Sequence, residues 1–290
     1  MRLKAEKLTL NISNIIIKAH NIANTVWEGL HNRNKTGVGE SFWQFRKYEY
    51  GDPAHLIDWK KSAKSFDTYI QEKELETLQN MVIWRDTSQS MNFRSNKKLE
   101  TKIDRANLLT LALTIILSKS GENIVLNGFN SKNLRGKEAI NFISNQITEE
   151  LDNNFLSKPN NNEIKNNSEV ILISDFLNDI KELEKTIKKL SSRGINGNLI
   201  HIFDPAEKIF PFKGRINFNG LEQEESILIG NAESIKNNYK KAITNHCNAV
   251  KNMAFSYSWK YYTETTDVAA DISLLNICNT LSNYNNKLAT

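Results

Sequence analysis

The chain has only two cysteines, Cys247 and Cys278, far apart and in no Cys-x-x-Cys pair. That spacing argues against a thiolate zinc site, and reduced thiols are the default; a disulfide is open but unsupported. Long apolar runs are also missing. The strongest, Leu108 to Leu117, is broken by Thr110 and Thr114 and reaches about half a membrane span. Met1 to Thr9 mixes lysine, glutamate and apolar residues rather than forming a signal-peptide core. These absences lead us to expect a cytoplasmic protein with no transmembrane segment, with peripheral membrane association left open.

Chemistry-bearing motifs are equally scarce. There is no Gly-x4-Gly-Lys-Ser/Thr loop, so the chain is not expected to hydrolyse ATP itself. Gly37-Val38-Gly39 lacks the strand–turn–helix context of a dinucleotide fingerprint. His20, His31, His55 and His201 show no metal-ligand spacing. His246-Cys247 are neighbours on an expected helix, where adjacent side chains diverge by about 100° and seldom form a nucleophile–base pair.

What is present is ordinary for a globular protein: 39% hydrophobic and 24% charged residues over 290 positions. The net charge of +5 and pI near 9.0 come mostly from dispersed lysines, and no nucleic-acid partner is expected. Asparagine runs such as Asn160-Asn161-Asn162 read as compositional bias and a polar loop.

Apolar periodicity predicts a helix over 1–36, then short strands and turns over 41–75 around Gly51-Asp52-Pro53. From residue 79 strands and helices alternate. Strands are expected at 81–85, 124–126, 170–174, 198–203 and 255–262. Helices are expected at about 101–119, 136–150, 178–193, 232–252 and 267–284, with an irregular stretch at 204–230. The helix over 101–119 is apolar nearly all round, so it should be buried on both sides. Such alternation implies an α/β fold with a mostly parallel sheet covered on both faces.

Ligands on these sheets sit beyond the carboxyl ends of the strands. Two acidic turns fall there: Asp86-Thr87-Ser88-Gln89-Ser90 after Met81-Val82-Ile83-Trp84, and Ser174-Asp175 after Val170-Ile171-Leu172-Ile173. Two hydroxyls and two carboxylates suit a hard divalent cation, which prefers oxygen ligands. The plainer reading is that Ser88 and Ser90 cap a following turn. Segment 46–64 combines Arg46, Lys47, Lys60, Lys61 and Lys64 with Phe45, Tyr48 and Trp59. Interleaved acids favour a small polar–aromatic core there, with Asp52 and Asp58 fixing turns or pairing with arginine, over a nucleic-acid patch.

Several strings together resemble bacterial proteins carrying domain of unknown function 58. They are Gly37-x-Gly39-Glu40-Ser41-Phe42, Arg46-Lys47-Tyr48-x-x-Gly51-Asp52, Ile57-Asp58-Trp59-Lys60-x-Ser62-Ala63 and Asp86-Thr87-Ser88-Gln89-Ser90-Met91. Asp204-Pro205-Ala206-Glu207, Phe210-Pro211-Phe212-x-Gly214 and Thr265-Thr266-Asp267 extend the similarity over roughly 35–285. The resemblance implies a Rossmann-like, von Willebrand A-type doubly wound, mostly parallel sheet with an N-terminal extension. We therefore expect an N-terminal segment 1–78 and a von Willebrand A-like domain 79–290 with an insertion near 204–230.

The resemblance also implies a metal-ion-dependent adhesion site. Asp86, Ser88, Ser90 and Asp175 would hold Mg²⁺, with a partner carboxylate completing the shell. A middle-loop threonine of such sites has no match here; loop 130–137 offers only Ser131. The function so implied is a non-enzymatic interaction adaptor, with a MoxR-type AAA+ ATPase and an unidentified protein client as partners. The alternative is a Mg²⁺-dependent phosphoester hydrolase.

Overall fold

The computed structural model describes residues 2–33, 42–73, 80–129, 132–149, 158–221 and 225–285. The string Gly37 to Ser41 and residues 152–157, where the asparagine-rich loop begins, lie outside the described residues. The chain divides into two compact units, residues 1–30 with 79–290, and residues 31–78. Helix α1 (Arg2–Arg33) thus groups largely with the sheet, where the sequence reading drew one block over 1–78. The cause is its apolar stripe: Ala19, Ala23 and Val26 are buried in the main core.

The smaller unit is built on a hairpin. Strand β1 (Phe42–Lys47) pairs antiparallel with β2 (Tyr69–Lys73), and the one-turn helix α2 (Trp59–Ser62) lies between them in sequence. Two of its aspartates fix turns, as expected. Asp52 accepts from Arg46 at 3.0 Å and from the Glu49 amide at 2.8 Å. Asp58 caps α2 through the Lys61 amide at 2.8 Å. The aromatic core is smaller than expected: Lys61 Nζ stands 3.4 Å over the Phe45 ring, but Trp59 is exposed.

The larger unit contains, in order, β3 (Asn80–Arg85), α3 (Lys102–Lys119), β4 (Asn123–Leu126), α4 (Gly136–Glu149), β5 (Ser168–Ser174), α5 (Ile180–Ser191) and β6 (Asn196–Phe203). Then come α6 (Pro205–Ile209), β7 (Ile216–Phe218), β8 (Ile227–Ile229), α7 (Ala232–Ser256), β9 (Lys260–Thr265) and α8 (Ala270–Asn285). Five strands form one parallel sheet in the order β4-β3-β5-β6-β9. This is the doubly wound architecture that the resemblance implies.

Side chains alternate across that sheet with the period of two that strands impose. Ile83, Ile171, Ile173, Ile200 and Ile202 face a core shared with α1, α3, α4 and α8. Val82, Trp84, Val170, Leu172 and Leu199 face the opposite core, filled from α5 and α7 by Ile187, Leu190, Val250 and Met253. Sandwiching between the sheet and other helices explains why α3 is apolar nearly all round. Its start is fixed by a capping box between Thr101 and Asp104.

Two stretches differ from expectation. Residues 204–230, expected to be irregular, hold the capped helix α6 and the antiparallel pair β7–β8. The last strand begins at Lys260, because α7 continues to Ser256 and turns through Ser258 at φ 61°. Phe255, Tyr257, Trp259 and Tyr261 alternate like a strand, yet the first of them rides the last helical turn. Trp259 lies against Gly197 so closely that a Cβ there would collide with its ring. Cys247 and Cys278 are both free. Among the described residues no helix is long and apolar enough to cross a membrane.

Candidate functional site

Strand β3 is followed by a crossover to β4 on one side, and β5 pairs on its other side. The chain therefore leaves the carboxyl ends of β3 and β5 in divergent directions and opens a crevice between them. Asp86 and Asp175 are the first residues beyond those two strands, and the Asp86 amide still donates to the Ile173 carbonyl at 2.8 Å. The topology thus brings together four residues that sequence reasoning selected.

Asp86 is fully buried. One carboxylate oxygen accepts from the Ser88 amide at 2.8 Å, an Asx turn that orients the serine loop. The other accepts from Ser174 Oγ at 2.6 Å. Burial pushes the Asp86 carboxyl up to about 6, against the hydrogen bonds from Ser174 and Ser88, and the Asp175 charge adds to the rise.

Ser88 stands at the N-cap of a short 3₁₀ turn, Gln89–Asn92, but its hydroxyl makes no capping bond. It faces Ser90 Oγ instead, at 3.1 Å. Ser90 Oγ donates in turn to Asp175 Oδ2 at 2.8 Å. The capping explanation of the serine pair therefore does not hold.

Three further side chains complete the cluster and were not selected from sequence. Lys102, the first residue of α3, is buried and donates to Asp175 Oδ2 and to Glu207 Oε1, both at 2.7 Å. Burial pulls its ammonium down, but Asp175 and Glu207 outweigh it, so Lys102 is held above the usual lysine range. Glu207 accepts the Asp204 amide at 2.8 Å through its other oxygen, within the capping box of α6. Asp204 is buried and accepts from the amides of Ala206 and Ser95, each at 2.8 Å. A signal existed for Lys102: a lysine opening an apolar helix opposes the positive end of the helix dipole and needs an anionic partner.

Behind the site, His201 is buried and bonds Tyr261 Oη through Nδ1 at 2.8 Å. Burial holds its imidazole well below the usual range, with His246 lowering it further. One turn along α3, Arg105 binds Glu264 at 2.5 Å and the carbonyls of Thr266 and Val268, tying this helix to the end of β9. Asn127, just past β4, is committed to Asn160 by two hydrogen bonds. Ser131 lies outside the described residues.

The donor set suits a small hard cation. Neighbouring ligands of octahedral Mg²⁺ lie about 3 Å apart, given metal–oxygen distances of about 2.1 Å. The Ser88–Ser90 and Ser90–Asp175 oxygen separations of 3.1 and 2.8 Å match that edge. Ser90 donates its hydroxyl hydrogen bond to Asp175, so its oxygen keeps lone-pair capacity for a metal. Among the described residues no three His, Cys, Asp or Glu side chains gather as a metal cluster.

The family model described as "Protein of unknown function DUF58" matches residues 44–249. The chain belongs to that family. No curated protein matches this DUF58 chain at a significant level. Among solved structures it is similar to conserved hypothetical protein BatB from Bacteroides thetaiotaomicron, at 14% identity over 71% of this chain and 99% of that one, with a TM-score of 0.41. It is also similar to an aerotolerance-related membrane protein from Bacteroides fragilis, at 13% identity over 70% and 97%, TM-score 0.36. The SpRpn10 VWA domain matches at 12% identity over 69% and 95%, TM-score 0.34. These likenesses are too distant to carry over a function.

Proposed function

We propose that this DUF58 chain is a non-enzymatic interaction adaptor whose contact surface is the β3–β5 end of the sheet. Ser88 and Ser90 would hold Mg²⁺ there, with Asp86 and Asp175 as the compensating carboxylates. The observation that carries this reading is the convergence of those four side chains at the switch point of a parallel sheet. Bound Mg²⁺ would supply positive charge and an open position for a carboxylate of a protein partner.

The chain's own residues do the rest. Asp175 orients the Ser90 hydroxyl, the Asp86 turn orients Ser88, and Ser174 fixes Asp86. A MoxR-type AAA+ ATPase is the proposed partner, on the strength of the family resemblance, with a separate protein as client. The imidazole behind the site, His201, is buried and bonded to Tyr261, which does not suit a general base for hydrolysis.

The test is binding of a purified MoxR-type ATPase from the same cells to the full chain, in Mg²⁺ and in chelator, beside a folded Asp86→Ala variant. Retention by the wild type in Mg²⁺ alone supports the adaptor. Mg²⁺-dependent turnover of generic phosphoesters that Asp86→Ala abolishes would replace it with the hydrolase reading.

A further inference from the structure

Lys102 is hard to explain as a stabilising residue. A buried ammonium loses its hydration, and an ion pair regains that loss only with good geometry on every side. Here it sits at the positive end of α3 and is 1% exposed. Its contacts on two sides are carboxylates from distant parts of the chain, Asp175 after β5 and Glu207 in α6, each at 2.7 Å. Glu207 cannot swing away freely, because its second oxygen is held by the Asp204 amide at 2.8 Å. Asp204 in turn holds the loop after the serine turn through the Ser95 amide at 2.8 Å. The ammonium is therefore fixed against the same Asp175 oxygen that accepts the Ser90 hydrogen bond.

We infer that the Lys102–Glu207 pair sets the cation affinity of the serine turn by regulating how much of Asp175's charge reaches it. The inference rests on reading that turn as a cation site. Lys102 withdraws negative potential from Asp175, and Glu207 offsets Lys102. Neither residue is a proposed ligand; both act through Asp175. The arrangement weakens the hold of the protein's carboxylates on a dication and so keeps the ion's charge available to a partner's carboxylate. Buried charges are poorly screened, so removal of either one is felt at the site.

The two members must then act in opposite directions. Lys102→Met frees the Asp175 charge and should tighten binding by roughly tenfold or more, whereas Glu207→Gln leaves Lys102 unopposed and should weaken it by a similar factor. The double variant Lys102→Met/Glu207→Gln should return near the wild type. A purely structural role would move both single variants the same way, towards weaker binding.

Calorimetric titration of Mn²⁺, as a Mg²⁺ substitute, into the full-length wild type and the three variants reads this directly. Circular dichroism confirms that each is folded. Opposite shifts with a near-neutral double variant support the inference; parallel shifts, or none, overturn it while wild-type binding keeps the cation site itself. Should Lys102→Met fail to fold, Glu207→Gln and the charge-balanced double variant still decide the matter. Absence of Mn²⁺ binding in every folded protein would overturn the cation site and this inference together.

Discussion

Four aspartates in two regions show how burial divides one residue type between two tasks. In the 31–78 unit, the half-buried Asp52 and Asp58 close turns through Arg46 and the amides of Glu49 and Lys61. Asp52 is held below the usual carboxylate range by its hydrogen bond with Arg46 and the Glu49 amide. At the end of the sheet, Asp86 and Asp175 are almost inaccessible and bond serine hydroxyls. Burial moves Asp86 the other way, up to about 6. In the first region the carboxylates are used locally. In the second, burial concentrates charge that protein donors only partly answer.

The comparison breaks most forcefully at Asp175. Asp175→Ala leaves the buried Lys102 short of one of its two carboxylates, and should cost about 3–5 kcal/mol in denaturant unfolding. A loss under 1 kcal/mol would mean that the cluster is solvated.

Next in size is pH dependence. The Asp86 carboxyl is raised in the folded state to about 6 from 3.8, so the folded protein binds the proton more tightly than the unfolded chain. Stability should therefore fall as pH rises between about 4 and 6, by about 3 kcal/mol from this group, and level off above. Asp86→Asn should remove that slope when unfolding is followed in chelator across the window. Asp52, nearer the surface, has the opposite sign: its small contribution is present above its unfolded pKa and fades as pH falls.

Asp58→Ala removes a cap and should cost about 1 kcal/mol in the stability of the 31–78 unit, read by hydrogen exchange of α2 and β2. It should leave Mn²⁺ binding unchanged. Asp52→Asn is expected to be the mildest change, sensed as a small shift in the amide signals of Arg46 and Glu49. A change in cation binding from either variant would erase the distinction between the two regions.

Much of this was legible in the sequence because it is local. Short continuous apolar runs ending in Asp86 and Ser174-Asp175 revealed both strands and the side of the sheet where ligands sit. Caps and glycines bounded the helices; Gly121, at φ 79°, follows the end of α3. Lys102 stood out only as a lysine opening an apolar helix; its place in the site was not legible, since its partners lie 73 and 105 positions away and only the folded sheet brings them together. The β7–β8 pair was hidden by its brevity, with three residues in each strand. The alternation through Phe255 and Tyr257 suggested a strand where helix α7 makes its last turn and is capped.

The contact between Trp259 and Gly197 bears on how the chain closes. Strand β9 joins β6 with Asn198 opposite Lys260. Sliding β9 by one residue would turn Trp259 to the other face of the sheet, and sliding it by two would drive the indole into Leu199 or Ile195. The bare backbone at Gly197 is thus a keyhole that admits the last strand in one alignment. A side chain at Gly197 would deny the last strand that alignment.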